Sequence, residues 1–103
     1  MKRIVSSAFA LAFLTSLGQT VYADTTHTGH VRNLYADPSD VVIESDVYGS
    51  CGSNLFHIQR NNANFMEMTA ITLMAFSKGK SMWLVVSFCA GDRNILSHAA
   101  IFG

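Results

Sequence analysis

Asn64-Phe65-Met66-Glu67-Met68-Thr69-Ala70-Ile71-Thr72-Leu73-Met74-Ala75-Phe76-Ser77-Lys78-Gly79-Lys80, followed at once by Ser81-Met82-Trp83-Leu84-Val85-Val86-Ser87-Phe88-Cys89, is the stretch on which the fold turns. Its first half reads as a helix from Phe65 to Ser77. Asn64 stands at the N-cap position with Glu67 three residues on, the spacing of a capping box. Gly79 sits where a left-handed terminator belongs, between two lysines whose charge suits a helix C-terminus. Glu67 is the one charged side chain inside these turns, so no wide polar face exists. Such a helix is expected to be covered on more than one side, by its own sheet and by neighbouring subunits. The second half, Ser81 to Cys89, is a strand that is apolar on both faces.

Outward from this pair the chain is β-rich. Upstream, His30 to Ala36 reads as a strand with Val31 and Tyr35 on one face and Leu34 on the other. Asp37-Pro38-Ser39-Asp40 is a turn, and the β-branched run Val41 to Ser45 completes a hairpin. Asp46 to Ser53 is a loop holding Gly49, Cys51 and Gly52, and Asn54 to Arg60 is a third strand. Downstream, Ala90 to Asn94 is a turn and Ile95 to Phe102 the last strand. Asp24 to Gly29 is polar and reads as a loose lead-in. The order is β-β-β-α-β-β, that of a five-stranded barrel of the oligonucleotide/oligosaccharide-binding (OB) type. A plain antiparallel sheet packed on one helix is the alternative.

The first residues bear on compartment. Lys2 and Arg3 precede an uncharged apolar run from Ile4 to Leu17, and Val21-Tyr22-Ala23 offers small or modest residues where a signal peptidase cuts. The expectation is a cleaved leader, residues 1–23, and a secreted or periplasmic single domain, residues 24–103. The apolar run is shorter than the ~20 residues a bilayer span needs, so no membrane span is expected in the mature form. Lys2 and Arg3 leave with the leader, so five basic residues face seven acidic ones, a formal charge of −2. That lacks the basic footprint of a nucleic-acid binder.

A domain this small often needs a covalent staple. Cys51 and Cys89 are an even pair in an oxidising compartment and read as a disulfide. Closing that loop stabilises a fold by roughly 4 kcal/mol on the chain-entropy argument. A redox or metal pair is the rival, without a C-x-x-C to support it.

The remaining chemistry is sparse. His27 and His30 lie three apart in an extended segment, His57 and His98 fall on expected strands, and no His-Glu-x-x-His is present, so surface or half-buried histidines are the simpler reading and neither metal nor cofactor is expected. Asp37, Asp40, Glu44 and Asp46 gather around the first hairpin and read as a solvated turn rather than paired catalytic acids. No Gly-x-Ser-x-Gly elbow occurs. The sequence therefore reads as a non-catalytic module. Trp83, Tyr35 and Tyr48 are aromatic platforms on which a sugar could stack, although core packing is the simpler reading of Trp83. Met66, Met68, Met74 and Met82 read as packing.

The segment from Asn64 to Leu84 resembles the B subunits of subtilase-cytotoxin and pertussis-like toxins, in which a buried helix ends in an aromatic, a short Gly-containing turn follows and a β-branched strand comes next. Small exported proteins similar to these subunits share a Cys near the end of that strand, as Cys89 is here. The resemblance covers Cys51 to Cys89. It implies an OB-type barrel, a homo-oligomer in the form of a ring of five, recognition of sialylated cell-surface glycans, and a catalytic toxin A subunit as partner. In those relatives a hydroxyl residue beside a Gly contacts the sugar, and Thr28-Gly29 is the matching pair here. The chain departs from the family in its shorter length, its single Cys pair and its lack of an extended C-terminal region. Thr28, Tyr35 and Trp83 are the glycan-site candidates. A periplasmic structural or inhibitor-like protein-binding module is the second functional reading.

Overall fold

The computed structural model describes residues 24–103. The expected leader lies outside the described residues. Six strands and one helix follow in the order β1 (Thr25–Gly29), β2 (Val31–Ala36), β3 (Asp40–Ser45), β4 (Leu55–Gln59), α1 (Phe65–Lys78), β5 (Met82–Ala90) and β6 (Arg93–Ile101). All six strands form one sheet in the order β1-β5-β6-β4-β3-β2. Every ladder is antiparallel except the short parallel one between β4 and β6. The fold is thus mainly β with one helix and one disulfide. The expected five-stranded closed barrel is corrected to a six-stranded open sheet.

The sixth strand is the segment that composition assigned to a loose lead-in. Thr25, Thr26 and Thr28 are β-branched, and their strand lies along β5 with Thr25 opposite Val86 and Gly29 opposite Met82. β1 and β2 stand at opposite ends of the sheet order, yet only His30 separates them in the chain. The sheet must therefore curl until its two edges nearly meet. They meet at Gly29, where a Cβ would lie 2.6 Å from both Ser45 Oγ and Val47 Cγ2. The Asp46 amide donates to the His30 carbonyl at 3.1 Å and holds the crossing.

Inside the curl, Val41, Ile43, Phe56, Ile58, Leu84, Val86 and Leu96 pack with Met68 and Ala75 of α1. Alternation along β3, β4 and β5 places these side chains on one face. In β2 a register shift between Val31 and Asn33 breaks the alternation. A bulge adds one residue to the count, so Val31 and Leu34 both turn inward and Tyr35 turns out, 51% exposed. That reverses the face expected for Tyr35.

The helix ends as its sequence dictates. Gly79 takes φ +64°, and the Lys80 amide donates to the Ala75 carbonyl at 2.9 Å. Its start differs from the expected capping box, because Asn64 makes no side-chain cap. The Asn64 amide group donates instead to the Ser97 carbonyl at 3.1 Å, as Asn62 does to Leu96 at 3.0 Å, tying the helix entry to β6. Among the described residues only one side of α1 is covered. Met68, Thr72 and Ala75 are buried, whereas Met66, Leu73, Met74 and Phe76 are exposed. The methionines therefore divide, with Met68 and Met82 in the core and Met66 and Met74 outside it.

Candidate functional site

The disulfide fixes the frame. Cys51 and Cys89 are bonded, tying the loop after β3 to the end of β5. Asn94, buried at the start of β6, braces the same loop. Its Oδ1 accepts from the Cys51 amide at 2.9 Å, and its Nδ2 donates to the carbonyls of Ser53 and Leu55 at 3.0 and 2.8 Å. Three backbone groups are thereby satisfied around a fully buried side chain.

Of the three candidate sugar contacts, two come together. Thr28 lies opposite Trp83 across the β1–β5 ladder, on the face away from the core. Trp83 is 44% exposed, so the core reading of this ring gives way. β5 is apolar on both faces, but only its Met82, Leu84 and Val86 face is buried, and Trp83 belongs to the other. Phe102 stands edge-on to the indole at 4.7 Å, an orientation the ring quadrupoles favour. The neighbouring row places exposed Thr26 opposite Val85, which in turn lies opposite exposed His98. The result is a shallow surface of one indole, one phenyl ring, two threonine hydroxyls and an imidazole. Tyr35 is not part of it. It lies on β2, at the far edge of the sheet order.

The histidines separate. His27 points inward and its ring sits 6.0 Å from that of Phe56, whereas His30 bonds Asp46 through Nδ1 at 3.1 Å. These two residues cannot chelate one ion in this arrangement. Among the described residues no group of three or more His, Cys, Asp or Glu side chains converges. His57 is the larger departure from expectation, being 1% exposed rather than on the surface or half-buried. Its Nδ1 lies 2.6 Å from Asp40 Oδ2, and its Nε2, like that of His27, is buried without a partner among the described residues.

The acidic residues of the first hairpin do not act as a set. Asp37 Oδ1 accepts from the Asp40 amide at 2.7 Å and from the Ser39 amide and hydroxyl at 3.0 Å. The Asp40 amide bond, with the Ser39 hydroxyl next, holds the Asp37 carboxyl below its ordinary range. Asp46 is lowered chiefly by the His30 amide, which donates to it at 2.7 Å. Glu44 accepts from Asn33. Each carboxylate is occupied by a local turn or ladder partner. Among the described residues no helix is long and apolar enough to cross a membrane.

No family model matches this chain, and no curated protein or solved structure does so either.

Proposed function

We propose that this chain is a secreted, non-catalytic binding module that holds saccharides on the outer face of its sheet and works as a homo-oligomer. The observation that carries the reading is the outward Trp83, braced edge-on by Phe102 and paired across the ladder with the exposed Thr28 hydroxyl. A sugar ring offers an apolar face to the indole and hydroxyls to the threonines. The exposed Met66, Leu73, Met74 and Phe76 on α1 support self-association, since one copy leaves them in water. Taking β1 and β2 as one strand bent at His30 gives the succession of an OB-type fold, which we adopt as the finer architecture. Export with cleavage near Ala23 agrees with the disulfide. The resemblance to toxin B subunits adds sialylated glycans as ligand class, a ring of five as assembly and an A-type subunit as partner.

The same α1 face favours a second reading, a periplasmic structural or inhibitor-like module that contacts another protein. A glycan array probed with the protein exported from its own leader, together with its mass in solution, separates the two. A multimer with a glycan signal lost in Trp83→Ala supports the first. A monomer silent on the array rejects it and leaves the second.

A further inference from the structure

The outer side of α1 carries a pattern that the saccharide surface does not use. Met66, Ala70, Leu73 and Ser77 are all exposed and stand four, three and four residues apart, the spacing of a helix-pairing seam. The stripe lies on the side opposite the buried Met68, Thr72 and Ala75. From Met66 to Ser77 it runs about 17 Å at the rise of an α-helix. Bulky and small side chains alternate along it. Met66, 78% exposed, and Leu73, 50% exposed, stand out as knobs, and Ala70 and Ser77 leave recesses between them. The Ser77 hydroxyl already donates to the Leu73 carbonyl at 2.7 Å, so covering it leaves no donor unpaired.

Such a stripe complements itself in one direction. Laid antiparallel on a second copy, Met66 meets Ser77 and Ala70 meets Leu73, so every bulky side chain enters opposite a small one. Laid parallel and in register, Met66 meets Met66 and Ala70 meets Ala70, which crowds one level and leaves the next empty. The charges choose the same direction. Glu67 and Lys78 each follow one end of the stripe by a single residue, so both lie on the same flank. A two-fold axis across the stripe sets Glu67 of each copy beside Lys78 of the other. Neither side chain has an ion-pair partner among the described residues.

We propose that α1 is a homodimer interface, in which the stripes of two copies pack antiparallel about a two-fold axis and two Glu67–Lys78 ion pairs close one flank. The inference rests on the self-association reading above and deepens it, because the unit is a pair where the toxin resemblance implies five. A contact this short belongs to the weak class of interfaces, so the pair builds up as concentration rises.

The test is sedimentation equilibrium of the protein exported from its own leader, over a range of concentrations, with the glycan array as a parallel readout. The parent should pass from one copy to two. Glu67→Lys and Lys78→Glu each bring like charges together at two places and should raise the dissociation constant about tenfold. The double variant E67K/K78E puts opposite charges back and should return the parental constant. Leu73→Glu places a charge in the seam and should leave one copy throughout. These three side chains are exposed in a single copy, so the fold does not depend on them. A pair whose constant ignores the variants, or that the double variant fails to restore, overturns the antiparallel seam and leaves self-association standing. An assembly of five does the same. One copy at every concentration removes the pair and the self-association reading together, whatever glycan signal Trp83 gives.

Discussion

Asn94 carries more of this structure than any other polar side chain described. It is fully buried and bonds three backbone groups from two directions. Alanine there leaves an amide and two carbonyls without partners, at roughly 1–3 kcal/mol for each group that water cannot rescue. Asn94→Ala should therefore lose on the order of 3 kcal/mol in urea unfolding, and a loss under about 1 kcal/mol would show that the loop re-pairs without it. The two lowered carboxyls give a pH prediction whose sign is fixed. Asp37 and Asp46 titrate below the ordinary aspartate value of 3.8 when folded. Their contribution is complete above that unfolded-state value and is lost as pH falls through the lower folded values. Thermal unfolding should thus be insensitive to these groups near neutrality and should turn downward as the solution is acidified through pH ~4. Asp46→Asn should blunt that fall, and an unchanged acid limb would contradict the assignment.

Among the elements, the disulfide and the helix stop make the sharpest claims. Cys51 and Cys89 are 38 residues apart, and opening that loop frees the unfolded chain and should lower stability by roughly 4 kcal/mol. Denaturation with and without reductant measures it, and coincident curves would mean the staple contributes nothing. Gly79→Ala forces a side chain into the left-handed region and should cost about 1 kcal/mol without altering the sheet. These elements were legible because their signals are local. A β-branched run after Pro38, a Gly after a helical stretch and one even pair of cysteines each speak for themselves. β1 was hidden because Thr25 to Gly29 lacks the apolar alternation of an interior strand; its threonines were the signal. The bulge in β2 was equally invisible, and it turned Tyr35 to the outside. Asn64 kept the sequence signature of a cap but spends its side chain on β6, a tertiary demand that no local pattern encodes.

At the scale of the whole molecule, the curl of the sheet decides which surfaces exist. It closes at Gly29, so Gly29→Ala should destabilise the fold by driving a methyl against Ser45 and Val47. A variant as stable as the parent would mean that the crossing has slack. Thr28 and Trp83 were separately legible as a hydroxyl beside glycine and an aromatic on a strand. Their pairing needed the β1–β5 ladder. The His57–Asp40 pair bridges 17 residues, a pairing that needed the β3–β4 ladder. The chain contains a single tryptophan, so its indole fluorescence reports Trp83 alone. Acrylamide quenching of that emission, with and without a bound oligosaccharide, tests the saccharide face most directly. The account predicts that the sugar shields the half-exposed indole and lowers the quenching constant. An unchanged constant at saturating sugar, on every glycan tried, would contradict it.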